Sequence, residues 1–363
     1  MTDRGISACA VEPVGRRQVL ARWCQRVGLL PTLRSLSELV SRHDLRVLAY
    51  HRVLESIEPA DFRFDVDLVS ASAETFRQQM AHVRRRYTPM RFDEVTECID
   101  RGRNLPKGAV LVTFDDGYDD NHRVAFPILR ELDMSAMFFV STGYIDSGKP
   151  YAFDWLVHMV CVNTAERLQA PELGLDWLLG VTLTERRAQA AELLHRLKAL
   201  DADPQEAFIL RLERLWGLER AITAPQCRPM NWDQLREMHS AGMEIGSHGV
   251  AHCMLAKLPR QRMAAEVEES KRKLERELGA PVIALSYPVG GPDSYDAETI
   301  EVVRATGYRV ACSYIEGGAA AAVGAGMFAL PRLQVERQMD QAWFEAMLAT
   351  PRLFAYAPKQ RIR

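Results

Sequence analysis

The sequence predicts an α/β protein, a distorted (β/α)7 barrel carrying a helical insertion. Three observations lead there. Seven short β-rich runs recur along the chain, most of them continuously apolar, as strands covered on both faces are. Helical three-to-four spacing fills most of the gaps between them. Chemistry-bearing residues follow several strand ends, where a β/α barrel assembles its site.

The predicted strands are Leu45–His51, Ala109–Phe114, Ala136–Ser141, Met243–His248, Val282–Tyr287, Tyr308–Ser313 and Phe328–Val335. Helices are predicted over Glu74–Tyr87, Asn121–Leu132, Trp232–Ala241, Arg260–Gly279 and Ala297–Thr306. In the fourth of these Met263, Val267, Leu274 and Leu278 mark the buried stripe, and Gly279 ends it. Residues 150–229 break the alternation. Ala165–Leu168, Thr184–Leu200 and Pro204–Leu218 read there as helices, with no good strand. The segment is expected to be a helical insertion, or a small second domain, since ordinary links are far shorter. The expected division is an N-terminal helical segment (1–44), a barrel (45–149 and 230–349), the insertion (150–229) and a tail (350–363). Ala319 to Leu330 is mostly Ala and Gly and reads as a loop.

At the start of the chain, Val19, Trp23, Val27 and Leu30 recur at helical spacing. Residues 1–46 hold eight Arg against Asp3, Glu12, Glu38 and Asp44, a net of +4. A helix packed on the domain is the ordinary reading. Peripheral contact with an anionic membrane is the sharper one, because Trp-bearing apolar stripes beside Arg suit an interface. Charges interrupt any apolar core of a secretory signal, so a cytoplasmic or membrane-associated protein is expected.

Composition narrows the function classes. A chain of 363 residues, 47% hydrophobic and 26% charged, folds as one large domain or two ordinary ones. Lys and Arg number 46 against 48 Asp and Glu, which removes the basic signal of a nucleic-acid binder. No run of eighteen strongly apolar residues is present, so no spanning helix is expected. Seven Cys stand singly with no CxxC, against a disulfide scaffold or thiolate zinc site. Nothing in the sequence speaks to oligomeric state.

Four stretches carry candidate chemistry. Thr113-Phe114-Asp115-Asp116-Gly117-Tyr118 puts two carboxylates after an apolar strand and before a glycine turn. An ion beside one of them would keep both ionised; a solvated Asp-Asp-Gly turn is the plain alternative. Gly246-Ser247-His248-Gly249-Val250-Ala251-His252 holds two His four apart. On one helical turn they could share a metal, and two His with one carboxylate suit a hydrolytic divalent ion. Surface histidines are the alternative. Leu285-Ser286-Tyr287-Pro288-Val289-Gly290-Gly291 is a strand end whose backbone amides can approach a ligand. Leu48-Ala49-Tyr50-His51-Arg52 puts a His at a strand end, where a barrel places catalytic groups; a hydrogen-bonded structural His is the alternative.

Together these stretches resemble the polysaccharide deacetylase family, carbohydrate esterase family four. TFDDGY matches its first motif, SHGVAH its second, and SYPVGG looks like a degenerate third. The resemblance covers roughly residues 45–149 and 230–348, with the insertion outside it. It implies that Asp115 is the catalytic base, that Asp116, His248 and His252 bind the metal, and that the Val289 amide stabilises the oxyanion. Three departures are visible. Gly249 stands where Ser or Thr is usual. Ser286 replaces the third-motif Arg, and Val289 an aromatic. No His follows His252 to supply the usual late general acid. The chain looks like the circularly permuted poly-N-acetylglucosamine deacetylases, in which a Tyr-His strand opens the barrel. That resemblance puts His51 in the acid's place and Arg332 beside Asp115. Of the other His residues not assigned to metal, none directly follows a predicted barrel strand.

The expected function is metal-dependent removal of N-acetyl groups from an acetylated amino-sugar glycan, releasing acetate. Zn is the first choice of cofactor, with Ni, Co or Fe as alternatives. Tyr118, Tyr287 and Trp232 are candidate sugar-stacking residues. Two rival readings remain: a glycan-binding barrel without turnover, and an amidohydrolase acting on a non-sugar amide.

Overall fold

The computed structural model describes residues 15–40, 44–56, 60–220, 226–317, 319–320 and 324–355. Expectations for residues 1–14 and 356–363 lie outside these. Seven parallel strands close into a barrel: β1 (Asp44–Tyr50), β2 (Ala109–Phe114), β3 (Met137–Val140), β4 (Glu244–Ser247), β5 (Ala284–Ser286), β6 (Val310–Glu316) and β7 (Leu330–Gln334). Each pairs with its neighbour in chain order. β1 closes the ring, pairing with β7 at Leu48↔Leu333 and with β2 from Arg46↔Val110 to Tyr50↔Phe114. Between β6 and β7 the register shifts, which distorts the barrel there. Strands β2 to β5 are buried at every position, β3 with apolar residues throughout and β4 with Glu244 accepting from the Phe92 and Asp93 amides. Ala319–Ala320, expected within a loop, instead pairs antiparallel with the start of β1.

Fourteen helices are described: α1 (Arg16–Arg26), α2 (Leu30–Val40), α3 (Ala73–Arg86), α4 (Phe92–Asp100), α5 (Phe126–Glu131), α6 (Thr142–Ser147), α7 (Ala152–Val162), α8 (Leu183–Leu197), α9 (Ala202–Trp216), α10 (Trp232–Ser240), α11 (Arg260–Leu278), α12 (Ala297–Ala305), α13 (Gln341–Ala349) and α14 (Pro351–Phe354). In α11 Met263, Val267 and Leu274 are buried, and Gly279 caps the end in the left-handed region, where a missing Cβ removes strain. Helix α1 packs on the barrel through Ala21 and Cys24, not through the stripe its spacing suggests. Of that stripe Leu30 is buried, while Val19, Trp23 and Val27 stay exposed.

Residues 150–229 hold α7, α8 and α9, but the segment is not wholly helical. Arg167–Ala170 and Leu175–Leu178 form an antiparallel hairpin that pairs only with itself. The helix expected at Ala165–Leu168 is not formed, and its second half begins the first strand, Arg167–Ala170. Leu168 and Ala170 point inward and Arg167 and Gln169 outward, a period of two rather than 3.6. α7, α8, α9 and the hairpin share a hydrophobic cluster of their own, joined by Phe64 from the loop before α3.

Candidate active site

The strand ends build the site from below. β2 hands the chain to Asp115, whose N–H donates to the Tyr50 carbonyl across the barrel seam, 2.9 Å. Asp116 then takes a left-handed conformation, φ 72°, and Gly117 follows at 82°. That reversal sends two neighbouring carboxylates into different company. A side chain at 117 is excluded, since a Cβ there would sit 2.6 Å from a Val140 methyl.

Asp115 faces Arg332 of β7. The guanidinium grips both carboxylate oxygens, at 2.8 and 2.6 Å, and also bonds the Ser286 hydroxyl, the Ser313 carbonyl and Thr113. Both side chains are buried. Burial pushes the Asp115 pKa up, but Arg332 and the adjacent His248 pull it down further, so it lies below the usual carboxylate range.

Asp116 faces the two imidazoles. One of its oxygens lies 3.5 Å from His248 Nε2 and 3.1 Å from His252 Nε2. Burial opposes its ionisation, and the hydrogen bonds from His248 and His252 overcome that, holding it well below the ordinary range. The His248 Nδ1 lies 2.7 Å from the Ser286 carbonyl, which can only accept, so Nε2 is left free to face the centre. The two His do not share a helical turn. They converge because the chain reverses at Gly249, φ 76°, and again at His252, φ 58°. Where a hydroxyl is absent at Gly249, the Glu266 carboxylate ties the loop by accepting from the Val250 and Ala251 amides, 2.7 and 2.9 Å.

These residues fit a divalent cation. One carboxylate oxygen and two imidazole nitrogens lie within 4.8 Å of one another. The second Asp116 oxygen is buried without a hydrogen-bond partner, the kind of orphan that an ion satisfies.

His51 lies beside this centre. Its N–H donates to the Ser70 hydroxyl and its carbonyl accepts from Asn121, so the backbone is clamped on both sides. Its ring packs edge-on against Tyr314 with centroids 5.1 Å apart. Burial lowers its pKa by more than the nearby Asp116 and Asp115 charges raise it. His51, Asp115, Asp116, His248, His252 and Val289 line one cavity of about 550 Å³, walled on the far side by α7, α8 and α9. Val289 sits at φ 64° in the turn after β5.

The three aromatics proposed for sugar stacking are not in this cavity. Tyr118 is buried under the Arg52 guanidinium, with its hydroxyl bonded to Asp154. Tyr287 is buried on Tyr295, and its hydroxyl donates to the Phe328 carbonyl. Trp232 is the first residue of α10, after the Asn231 cap, and its indole N–H donates to Asp146. Each is used to hold the scaffold. Sequence reasoning missed Tyr151, which donates to the Asp116 carbonyl, and Phe153, whose ring lies 4.9 Å from that of His252. Both open α7, and their signal was hidden because that segment read as remote from the site.

The sequence profile of the family described as polysaccharide deacetylase matches residues 102–174 and 182–311, running through much of the insertion as well as the barrel. YxkH of Bacillus subtilis, provisionally named a polysaccharide deacetylase, is 22% identical over 255 residues, 70% of this chain and 61% of that protein. The poly-beta-1,6-N-acetyl-D-glucosamine N-deacetylase of Escherichia coli K12 is 32% identical over 101 residues, 28% of this chain and 14% of that enzyme. Among solved structures, the Streptococcus pyogenes deacetylase PplD in complex with acetate shares the fold at 20% identity and a TM-score of 0.56, covering 85% of this chain and 99% of that one. IcaB from Ammonifex degensii does so at 19% identity and a TM-score of 0.50, covering 85% and 96%. With half of its length and all of its first two motifs inside the matched profile, the chain belongs to the polysaccharide deacetylase family.

Proposed function

We propose that the protein hydrolyses the N-acetyl group of an acetylated amino-sugar glycan, releasing acetate and leaving a free amine. The observation that carries this reading is the convergence of Asp116, His248 and His252 beside the Arg332-clamped Asp115 on one cavity wall. The similarity to the Escherichia coli enzyme supports an N-acetylglucosamine polymer as substrate.

Asp116, His248 and His252 would hold the cation, for which zinc is the first candidate and nickel, cobalt or iron the alternatives. When bound, such an ion supplies Lewis-acid polarisation of the acetamide and lowers the pKa of water toward ~7. Asp115 takes the proton of the attacking water as general base, and Arg332 fixes the orientation of that carboxylate. The Val289 N–H donates to the oxygen that gains charge. His51 protonates the departing nitrogen as the C–N bond breaks, so each product leaves with its proton accounted for.

The test is acetate release from N-acetylglucosamine oligomers by protein loaded with zinc, stripped by chelator and reloaded. Release that disappears on stripping and returns on reloading is the expected result. Fully loaded protein that binds the oligomers but frees no acetate would point to a barrel without turnover. Release from simple amides alone would move the substrate away from sugars.

A further inference from the structure

Among the described residues, one face of α1 packs against nothing and lies outside the reaction cavity. The helix packs on α13 through Ala21 and Cys24, and its polar contacts run to that side: Gln18 and Arg22 bond Asp340, and Gln25 bonds Glu345. Residues 16, 19, 20, 23, 26 and 27 follow the i, i+3, i+4, i+7 spacing of the opposite face. Four of them are Val19, Leu20, Trp23 and Val27, each between 48% and 56% exposed. The other two are Arg16 and Arg26, both exposed, one near each end of the strip. No acid lies in α1.

We propose that this face docks the protein on an anionic lipid surface, with α1 lying in the plane of the interface. The chemistry is complementary at each position. Val19, Leu20 and Val27 would enter the acyl boundary, and the Trp23 indole suits the headgroup level, where one part of the ring is apolar and the N–H is wet. Arg16 and Arg26 reach headgroup phosphates while their stems lie along the apolar strip. The helix is eleven residues long, and no described helix is long and apolar enough to cross a membrane, so the contact is peripheral. A second copy is a poorer occupant. Two such faces brought together would set Arg against Arg at the rim of the contact, with no carboxylate on either helix to pair them.

The experiment is co-sedimentation of the full chain with sucrose-loaded vesicles, either phosphatidylcholine alone or phosphatidylcholine mixed with phosphatidylglycerol. The parent should pellet with the mixed vesicles, less with the neutral ones, and less again at high salt. V19D together with W23D should weaken binding by about tenfold or more, through the lost apolar burial. R16E and R26E should each weaken binding to the mixed vesicles by about fivefold while changing neutral-vesicle binding little. Unchanged melting curves would show that these exposed positions leave the fold intact. A parent that stays in the supernatant with phosphatidylglycerol vesicles overturns the proposal. So does equal binding by the V19D/W23D chain, or a dimer in sedimentation equilibrium that W23D dissolves.

Discussion

A single backbone angle separates the tasks of two adjacent carboxylates. With Asp116 at φ 72°, Asp115 meets a guanidinium while Asp116 meets two imidazoles. Holding a non-glycine residue there costs about 1–3 kcal/mol, which the surrounding bonds must supply. His252 and Val289 are also left-handed, so three of the four such non-glycine residues among those described lie at the site. The Arg332–Asp115 pair sets a clear expectation. Arg332→Ala strands a buried carboxylate and should destabilise the fold by about 3–5 kcal/mol in urea melts. The pH dependence has a definite sign. The folded Asp115 pKa lies below 3.8, so its stabilising contribution is present above that pH and is lost as pH falls through the folded value. Asp115→Asn should flatten the stability profile in that acidic window and abolish acetate release, while bound metal is retained. His51→Ala should cut turnover by about 10²–10⁴-fold with metal content unchanged. If the acid must be protonated, the wild-type rate falls as pH rises through the His51 pKa, and that alkaline limb should vanish in the variant. Asp115, Asp116, His248 and His252 were legible because each follows an apolar strand within a short motif. Tyr118 and Tyr287 misled because adjacency to a motif does not say which way a ring points, and both rings turn into the scaffold.

At the level of elements, the loop from His248 to His252 depends on α11. Glu266 accepts from two of its amides, doing the work that a hydroxyl at position 249 would share. Glu266→Ala should therefore lower metal affinity by about 10–100-fold in chelator competition, without removing a ligand. Gly249→Ser should not improve on the parent. Its Cβ would stand 3.1 Å from a Glu266 oxygen, at a φ of 76° that serine adopts poorly. The seven barrel strands were readable because continuous apolar runs between helical spacings have few other uses. Helix α7 was not, because Trp155, Leu156, Val157, Met159 and Val160 are all buried and leave no polar face to reveal the period. The hairpin at 167–178 was missed for the opposite reason: each strand is only four residues long.

For the whole molecule, the insertion supplies the far wall of the cavity while keeping a core apart from that of the barrel. That placement could not be read from the chain, because nothing in a run of helices says which end of a barrel they cover. Two cores imply two levels of opening. Leu193→Ala, at a fully buried position in α8, should cost about 2–5 kcal/mol locally. Hydrogen exchange should then quicken in α8 and α9 while β1, β2 and β3 keep their protection.

The seam at β1 carries a consequence for how the protein is made. On the ribosome, β1 and β2 can pair once the chain through α3, α4 and Phe114 has emerged. The other edge of β1 finds its partner only when Leu330–Gln334 emerges, long after β2 has been made. Until then the nascent sheet offers an unpaired hydrogen-bonding edge to any neighbouring polypeptide. Chains stalled before residue 330 should accumulate on chaperones or in aggregates, and release only slightly further along should let the ring shut.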